Sequence, residues 1–292
     1  PPWPFPRRRS HSTQDLQLEL RLLPARKDQP IDQRRKEFVP ADLVVEEVSR
    51  ALQLHGEGAI DWISFLGAGE PALHSRLGYM IRRLKELTRI PVAVITNGSL
   101  LYRPDVRQEL MVADAVMPSL DAGSSGVFKA LNRPHPHATF ENLTEGLAAF
   151  SSEYPGGLWI EVMLIQRLND TEEALRDLAA VLARIAPRQI HVNTPVRPPA
   201  EPWVKPPPPE TLARAASLLG RSARRIPPQI STMDLSGCDD VVAAILAVIA
   251  RHPMTEEKLQ AALQRWKPGD TGSALRRLAA GGRAQVVTRN GR

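Results

Sequence analysis

The sequence predicts an α/β protein with a parallel sheet covered by helices, and three observations support this prediction. From Pro40 onward, short apolar runs alternate with segments in which apolar residues recur at helical spacing. The short runs are apolar on both faces, as expected for strands in a sheet that helices cover. With 292 residues, the chain is long enough for one large domain and one small domain.

Five strands are predicted from the short apolar runs. They span residues 60–66, 92–95, 115–119, 159–165 and 189–193. Parallel strands all end at the same edge of their sheet, and the functional groups of α/β proteins gather in the loops of that carboxyl edge. We therefore expect functional residues directly after these runs.

Helices are predicted where apolar residues recur every three or four positions. They span residues 40–54, 73–87, 104–111, 124–131, 139–151, 170–185, 211–219 and 239–251. Residues 198–209 contain seven prolines, a composition too stiff for a helix, so an extended covering segment or a linker is expected there.

Residues 252–292 are predicted to form a small separate unit. Residues that can cap a helix precede two helical patterns, at 255–265 and 270–280. A glycine pair at 281–282 ends the second helix, and residues 283–289 are predicted to form a strand. This order of elements resembles a winged-helix domain that is cut off within its wing.

The formal net charge of +6 is unevenly distributed along the chain. Residues 1–36 carry nine basic and four acidic side chains, and residues 251–292 carry nine basic and three acidic ones. The middle of the chain is therefore mildly acidic. The high isoelectric point does not predict nucleic-acid binding by that part.

Two further observations bear on the environment of the protein. The longest apolar run, residues 241–250, has ten residues, well short of the roughly 20 needed to cross a bilayer. No secretory signal pattern is present, so a cytoplasmic location without membrane contact is predicted. Cys238 is the single cysteine, which excludes an intrachain disulfide, and the apolar helix predicted after it favours a buried thiol.

Five segments of the chain resemble one protein family. They are GAGEP at residues 67–71, VITNGSLL at 94–101, MPSLDA at 117–122, NRPHP at 132–136 and VNTPVRPP at 192–199. Together they resemble the radical S-adenosylmethionine (SAM) superfamily, in particular a group of largely uncharacterised iron–sulfur oxidoreductases. The likeness extends from about Glu37 to about Gly220.

The resemblance implies a partial (β/α)6 barrel, similar to part of a TIM barrel, with a sixth strand before the five above. In that family, a CxxxCxxC loop after the first strand holds a 4Fe-4S cluster, and the open iron of the cluster binds SAM. A reductant such as a flavodoxin or a ferredoxin supplies one electron, the sulfonium bond breaks, and the 5′-deoxyadenosyl radical abstracts a substrate hydrogen atom. The resemblance does not identify the substrate.

This chain lacks the cysteine triplet, and a basic segment stands where the triplet is expected. If Leu16, Leu20 and Leu23 are encoded by CTG, a frame shifted by one base can spell CNWNCVYC across them. We hypothesise that residues 1–27 are a frameshift product and that the first strand is missing or degraded; alternatively, residues 1–26 form an ordinary basic, proline-rich disordered tail. The predicted domains are an aberrant N-terminus at 1–36, a radical SAM-like barrel at 37–230, and a helix with the winged-helix-like unit at 231–292.

The GAGEP turn is a candidate cofactor site. Gly67, Ala68 and Gly69 allow a ligand to approach the backbone closely, and the Glu70 carboxylate can accept a hydrogen bond from an ammonium group. The resemblance implies that this turn binds the amino group of the methionyl part of SAM, with Ala68 in place of the usual second glycine. A plain tight turn between a strand and a helix would have the same sequence.

Polar residues also follow the next two predicted strands. The resemblance implies that Thr96 and Asn97 lie near the cofactor, although a plain Asn-Gly turn would look the same. Ser119 and Asp121 end the following strand, and a carboxylate that accepts two hydroxyls suits a ribose. The resemblance implies that this pair lies near the ribose of SAM or near the substrate; the alternative is that Asp121 caps the helix predicted at 124–131.

Four residues are candidates for substrate contact. Arg133 can hold a carboxylate or phosphate, and His135, between two prolines, can titrate or ligate or can be a fixed surface residue. Glu161 is predicted to face the barrel interior, where it needs a partner such as a cofactor or Arg197. Asn193 and Arg197 resemble the last cofactor-side loop of the family.

No metal site is predicted from histidine, because His74, His191 and His252 are scattered and are expected to be structural. The chain also lacks GxxxxGK followed by Ser or Thr, a nucleophile elbow and an HExxH sequence. These absences argue against a phosphate-loop protein, an α/β-hydrolase and a zincin.

Three functions remain open. The first is an iron–sulfur oxidoreductase of the radical SAM type that is inactive as translated, because its cluster ligands are absent. The second is a SAM-binding pseudoenzyme. The third is a nucleic-acid-binding regulator that acts through basic residues of the C-terminal unit. These residues are Lys267, Arg276, Arg277, Arg283 and Arg289.

Overall fold

In the part of the chain that the structure describes, seven strands form one parallel sheet in the order of the sequence. The computed structural model describes residues 18–21, 34–56, 58, 60–66, 69–195, 203–225, 242, 245, 259 and 271–281. The strands are β1 (Leu18–Arg21), β2 (Ile63–Leu66), β3 (Val92–Thr96), β4 (Ala115–Pro118), β5 (Gly157–Met163), β6 (Gln189–Asn193) and β7 (Ala223–Arg225). Each strand pairs in parallel with the next, which confirms the predicted sheet.

The five predicted strands correspond to β2 through β6, and the sheet has one strand more than the predicted six. A four-residue strand, β1, occupies the first position, which was expected to be missing or degraded, with Leu18 opposite Ile63 and Arg21 opposite Leu66. At the other edge, β7 pairs with β6. The sequence of β7, Ala-Arg-Arg, lacks the apolar run that predicted the other strands.

Eight helices lie in the described residues. They are α1 (Ala41–His55), α2 (Leu77–Leu87), α3 (Pro104–Leu110), α4 (Ser125–Asn132), α5 (Phe140–Glu153), α6 (Glu172–Ile185), α7 (Pro209–Leu218) and α8 (Thr271–Ala280). The helix predicted at 73–87 begins later, because Pro71–Leu73 forms a separate 3-10 turn. The helices predicted at 239–251 and 255–265 lie almost entirely outside the described residues.

Threonine side chains fix the starts of the two longest helices after β4. Thr139 Oγ1 accepts a hydrogen bond from the Asn142 N–H, and Thr171 Oγ1 accepts one from the Ala174 N–H. Each bond satisfies a backbone donor that a helix start leaves without an intrahelical partner. Both helices therefore begin at defined positions after the loops that follow α4 and β5.

The main apolar core lies on the face of the sheet that packs against the helices. It joins side chains such as Phe65, Val94 and Ile160 on the strands to Leu147 and Leu178 on helices. All five side chains are almost completely buried. Burial of side chains of this size contributes roughly 1.5–3 kcal/mol each, so this core supplies most of the driving force for the fold.

The opposite face of the sheet carries a small apolar cluster, which includes Ile95 on β3 and Met117 on β4. In this cluster Trp62 and Trp159 meet edge to face with ring centroids 5.8 Å apart. The His191 ring lies beside Trp159 at 6.1 Å. Toward the carboxyl ends of β5 and β6, Glu161 and Asn193 replace the aromatic side chains on this face.

The chain divides into two compact units. The first contains Trp3–Asn193 and Pro207–Ile226, and the second contains Thr194–Pro206 and Pro227–Arg292. In the second unit, α8 confirms the helix predicted at 270–280. The winged-helix-like arrangement stays a prediction, because residues 283–289 lie outside the described residues.

None of the helices in the described part of the chain combines the length and the apolar character needed to cross a bilayer.

Candidate functional site

Predicted site residues from five successive strands lie along the carboxyl edge of the sheet. Glu70 follows β2, Thr96 ends β3, Ser119 and Asp121 follow β4, Glu161 lies on β5 and Asn193 ends β6. Side-chain hydrogen bonds join Glu70 to Thr96 and Glu161 to Asn193, and backbone contacts join Ser119 to Thr96 and to Glu161. The polar residues therefore form a continuous row along the edge.

Glu70 connects the ends of β2 and β3. Its side chain is 8% exposed, and its Oε1 accepts hydrogen bonds from the Ala72 N–H at 2.9 Å and from the Thr96 hydroxyl at 2.5 Å. Its Oε2 accepts a bond from the Asn97 N–H at 2.7 Å. Burial raises the pKa of Glu70, and these three donors oppose the rise.

The carboxylate of Glu70 therefore fixes the turn after β2, and it retains acceptor capacity because a carboxylate can accept about four hydrogen bonds. Gly69 is exposed beside it. Gly67 and Ala68 lie outside the described residues. The predicted contact between this turn and an ammonium group stays a prediction.

Thr96 and Asn97 differ in how their side chains are used. The buried Thr96 hydroxyl donates to Glu70 and accepts from the Gly98 N–H at 3.1 Å. The side chain of Asn97 is exposed, and its Oδ1 accepts from the Ser99 N–H at 2.9 Å. Gly98 has a φ of +73°, which glycine adopts without strain. Thr96 therefore orders the edge, and Asn97 presents an amide to solvent in an Asx turn.

Glu161 and Asn193 form the next contact along the edge. Asn193 Nδ2 donates to Glu161 Oε1 at 2.5 Å, and Ser119 forms a parallel bridge with Glu161. Burial raises the pKa of Glu161, and the bond from Asn193 opposes the rise. The partner of Glu161 in the described residues is therefore an amide, and Arg197 lies outside those residues.

Asp121 faces β5 and does not cap α4. Its Oδ1 accepts from the Met163 N–H at 2.7 Å, and its carboxylate also accepts from the Asn132 side chain. The N-cap residue of α4 is Ser124, without a side-chain cap bond, so the capping alternative was wrong. Burial, the main cause, and the nearby Glu161 raise the pKa of Asp121 to about 6.

Asn169 is a part of this edge that the sequence did not predict. Its side chain is 1% exposed. Nδ2 donates to the carbonyl oxygens of Asp121 and Met163, each at 2.8 Å, and Oδ1 accepts from the Ile165 N–H at 2.7 Å. One amide thus connects the loop after β4 with the end of β5, and it holds in place the backbone on both sides of the Asp121 contact.

The loop around Asn169 is ordered by a second side chain. Asp170 Oδ1 accepts from the Arg167 N–H at 2.6 Å, and Arg167 has a φ of +62°, in the left-handed region. A polar cluster of Asn, Asp and Thr directly before a helix was the only sequence signal for this loop. The sequence predicts only that a helix begins at residue 170, and α6 begins at Glu172.

The NRPHP segment lies after α4. Arg133 has a φ of +42° as the residue that ends this helix, and its side chain is exposed. The half-buried His135 accepts a bond at Nδ1 from the His137 N–H at 3.3 Å, and the two rings lie 5.2 Å apart. Substrate contact by either residue stays a prediction.

The two described histidines predicted to be structural are structural. His74 is 1% exposed, Nε2 lies 2.9 Å from the Val39 carbonyl oxygen, and Nδ1 accepts from the Arg76 N–H. His191 contacts Gln189 Oε1 through Nε2, and burial lowers its pKa to about 4. His252 lies outside the described residues.

The donor set of the chain does not fit an iron–sulfur cluster. Such clusters are held by several cysteine thiolates, and the whole sequence contains only Cys238. Among the described residues, no group of three or more His, Cys, Asp or Glu side chains could hold a metal ion. The carboxylates and amides of the carboxyl edge instead fit hydroxyl groups and a cationic organic ligand.

An open parallel sheet with helices on one face and polar groups at its carboxyl edge defines the class as a barrel-type α/β protein. A family model described as the radical SAM superfamily matches residues 25–179, about half of the chain. The chain therefore belongs to the radical SAM superfamily, as the resemblance implied.

Its relatives include proteins of the UPF0026 family. The chain is 30% identical over 237 residues to a UPF0026 protein of Methanocaldococcus jannaschii, a match that covers 80% of this chain and 73% of the relative. It is 38% identical over 160 residues to a protein of Brachyspira hyodysenteriae named GTPase Obg, and this match covers 55% of the chain and 23% of that protein. No phosphate loop occurs in the present chain.

A solved structure supports the fold. A radical SAM methyltransferase from Sphaerobacter thermophilus is similar with a TM-score of 0.50 and 22% identity. The likeness covers 64% of this chain and 57% of that one. At this identity it supports the barrel-like fold and not the reaction.

Proposed function

We propose that the carboxyl edge of the sheet binds SAM, and that the chain as translated binds it without radical chemistry. The observation that supports this proposal is the row of polar residues at five successive strand ends. Side-chain hydrogen bonds join Glu70 to Thr96 and Glu161 to Asn193, and backbone contacts join Ser119 to Thr96 and to Glu161. A superfamily that uses SAM, together with polar groups at the strand ends, makes this edge the best candidate for the ligand.

Charge complementarity supports SAM as the ligand. In the part of the chain that the structure describes, no Lys or Arg side chain forms an ion pair with Glu70, Asp121 or Glu161. Buried carboxylates are most stable when a cation or several donors neutralise them. The sulfonium and ammonium groups of SAM supply positive charge, and its ribose hydroxyls supply donors.

We assign a role to each candidate residue from its position along the carboxyl edge of the sheet. The turn at 67–70 would take the methionyl amino group, and Asn97 would lie beside the cofactor. Ser119 and Asp121 would take the ribose, and Asn193 would complete the cofactor side by holding Glu161. Contact with the unknown substrate is assigned to Arg133, His135, Glu161 and Arg197.

The radical reaction needs a group that this chain cannot hold. Without cluster thiolates, an electron donor such as a flavodoxin or ferredoxin has no acceptor on the chain as translated. We therefore propose that this chain, an iron–sulfur oxidoreductase by descent, acts as a SAM-binding protein without catalysis.

Titration calorimetry tests the binding site. The chain should bind SAM more tightly than S-adenosylhomocysteine, which lacks the sulfonium charge. Asp121→Asn should weaken SAM binding by about tenfold, equivalent to about 1.4 kcal/mol. Asp114→Asn, at the opposite end of β4, should leave it unchanged. Absence of SAM binding by the unaltered chain, or equal affinity of the two aspartate variants, would contradict the proposal.

A second function, nucleic-acid binding by the C-terminal unit, is favoured by one feature of α8. Arg276 and Arg277 are exposed, whereas Ala274 and Leu278 on the same helix are buried. Lys267, Arg283 and Arg289 lie outside the described residues. Affinity of the full chain for a DNA duplex should then fall steeply with salt, and it should fall further in an Arg276→Ala, Arg277→Ala double variant. Binding that is insensitive to salt would exclude this function.

A further inference from the structure

A largely buried arginine outside the row of strand ends holds the Glu70 turn, residues 70–75. We propose that Arg35 is a positioning residue for the candidate ligand site, because it fixes the place of Ala72, whose N–H donates to the Glu70 carboxylate. The expected effect on SAM affinity rests on the proposed function. The expected effect on the turn does not, because it can be measured without SAM.

The Arg35 guanidinium joins the Glu70 turn to helix α3. Its Nη1 and Nη2 donate to the two carboxylate oxygens of Glu109, at 2.9 and 2.6 Å. Its Nε donates to the Ala72 carbonyl oxygen at 2.9 Å, and Nη2 also donates to the His74 carbonyl oxygen at 3.1 Å. The Arg35 side chain is 10% exposed. A planar guanidinium can make these bonds together, because its N–H groups point in fixed directions.

Ala72 connects this arginine with the candidate site. The residue is 1% exposed. Its carbonyl oxygen accepts from Arg35, and its N–H donates to Glu70 Oε1 at 2.9 Å. The backbone of one buried residue thus contacts both side chains. A displacement of Ala72 at its contact with Arg35 would therefore also change its contact with the Glu70 carboxylate.

Other contacts hold the far end of the Glu70 turn to the same segment of the chain. The Lys36 N–H donates to the Leu73 carbonyl oxygen at 3.0 Å, and the Ser75 N–H donates to the Lys36 carbonyl oxygen at 3.1 Å. These backbone bonds do not use the guanidinium. Loss of the guanidinium contacts should therefore loosen the turn at Ala72 while the chain stays folded.

The close approach of α2 to α3 sets the position of Glu109. A Cβ at Gly78 would lie 2.9 Å from both Cβ and Cγ of Glu109, so a side chain at position 78 would displace this carboxylate. Gly78→Ala therefore disturbs the partner of Arg35 and leaves the arginine itself unchanged. It provides a second way to test the same contact.

Arg107 provides a matched control, because it forms the same kinds of bond away from the Glu70 turn. Its Nε and Nη2 donate to the two carboxylate oxygens of Glu153, at 2.9 and 3.2 Å. Its Nη1 donates to the carbonyl oxygens of Leu101 at 3.1 Å and Tyr102 at 3.3 Å. The Arg107 side chain is 13% exposed. If Arg35 only stabilised the fold, replacing either arginine would have the same consequences for the candidate site.

Hydrogen exchange of the full chain without ligand, measured by nuclear magnetic resonance, tests the effect on the turn. Arg35→Lys keeps the positive charge but cannot form the bidentate bond, so the Ala72 N–H should exchange about tenfold faster than in the unaltered chain. Gly78→Ala should change this rate in the same direction, and Arg107→Lys should leave it unchanged. An unchanged rate in Arg35→Lys, or an equal increase in Arg107→Lys, would overturn the proposal.

Titration calorimetry with SAM tests whether Arg35 acts through Glu70. Arg35→Lys should weaken binding by about tenfold, and it should cause no further loss in a chain that carries Glu70→Gln. Arg107→Lys should leave the affinity unchanged. Equal losses from Arg35→Lys in the two backgrounds would mean that the arginine acts independently of Glu70, which overturns the proposal. If the unaltered chain binds no SAM, the proposed function fails, and the exchange rate of the Ala72 N–H still decides whether Arg35 positions the turn.

Discussion

An aspartate lies at each end of β4, and the two carboxylates have different kinds of partner. Asp114, before the strand, has its Oδ1 2.6 Å from Lys85 Nζ and accepts a bond from the Val92 N–H at 2.8 Å. Asp121, after the strand, accepts bonds from the neutral Met163 N–H and the Asn132 side chain. The chain itself neutralises the charge at the amino end of the strand.

This difference explains where a ligand would bind. At the carboxyl end, burial and Glu161 raise the pKa of Asp121 to about 6, because neutral donors only partly replace the water that the carboxylate loses. A cationic ligand would relieve this unfavourable environment. Carboxylates with a raised pKa at the carboxyl edge, and an ion-paired carboxylate at the amino edge, are typical of this kind of fold. In it, one edge of the sheet carries function and the other contributes to stability.

Asn169→Ala should give the largest effect on stability. It leaves the Ile165 N–H and the carbonyl oxygens of Asp121 and Met163 without their partner, so the free energy of unfolding should fall by about 3 kcal/mol in urea denaturation. Asn142→Ala, which removes a half-buried amide whose Nδ2 lies 3.5 Å from the His137 carbonyl oxygen, should change it by less than about 0.5 kcal/mol. Similar losses in the two variants would show that the buried amide does not hold this edge.

A comparison with Asp170→Ala separates positioning from general loss of stability. Asp170 orders the same loop through Arg167 and does not contact Asp121. Under conditions where both variants are folded, Asn169→Ala should weaken SAM binding by about tenfold, a loss of about 1.4 kcal/mol, and Asp170→Ala should not. Equal affinities would assign Asn169 a purely structural role.

Gly123→Ala should have the next largest effect, because the loop after β4 touches the backbone of α6. An added Cβ would lie 2.1 Å from the Leu178 nitrogen, so the loop or the helix must move. We expect a loss of about 2 kcal/mol in the free energy of unfolding.

Gly126→Ala is the matched control for this substitution. A Cβ at Gly126 meets nothing within 4 Å, and the residue lies in α4. The free energy of unfolding of this variant should rise by about 0.5–1 kcal/mol, because alanine has a higher helix propensity than glycine. Destabilisation by both variants would mean that crowding against α6 is not the cause.

Asp121→Asn tests the comparison of the two aspartates through pH. The folded state raises the pKa of Asp121 from 3.8 to about 6, so the folded protein binds the proton more tightly than the unfolded chain. The contribution of this bound proton to the stability of the folded state is complete below about pH 4, and it is lost as the pH rises through 6. Asp121→Asn should therefore raise the free energy of unfolding at pH 7 by about 2 kcal/mol and have little effect at pH 4.

Asp114→Asn is the control for this pH dependence. This variant should not raise the free energy of unfolding between pH 4 and 7, because it removes one partner of the ion pair with Lys85. Urea denaturation across this pH range measures both variants. A parallel gain in the two would show that the ends of β4 do not differ as described.

Lys85→Met should cause the smallest loss in the free energy of unfolding. The Lys85 and Asp114 side chains are 40% and 35% exposed, and pairs of this kind contribute about 0.2–1 kcal/mol. The loss should shrink in 1 M salt, because ions screen exposed charges. A loss that is unchanged by salt would indicate that lost packing of the lysine stem is responsible.

Much of the fold was predictable because its strands have a strong pattern. The runs at β2 through β5 are mostly apolar, β6 alternates Ile190 and Val192 with polar residues, and the helices between the strands have a clear apolar stripe. The edge strand β7 was missed for the opposite reason. β7 is Ala-Arg-Arg, and a strand with one neighbour needs no apolar run on both faces.

The site was predictable in part. Thr96, Ser119, Asp121 and Asn193 lie at the ends of predicted strands, and the structure confirms that position for each. Asn169 could not be predicted, because its contacts join backbone atoms 6 and 48 positions away along the chain. Nothing local distinguishes such an amide from one at the start of a helix.

The sequence by itself determined the α/β class, the parallel order of the central strands, the superfamily and the absence of cluster thiolates, because periodicity and composition are local properties. Tertiary structure alone decided the partners. Glu70 forms hydrogen bonds with Thr96 and Asn97, Glu161 with Asn193, and Asp121 with Met163. Hydrogen bonds between strand ends depend on register and burial, which arise only when distant segments pack together.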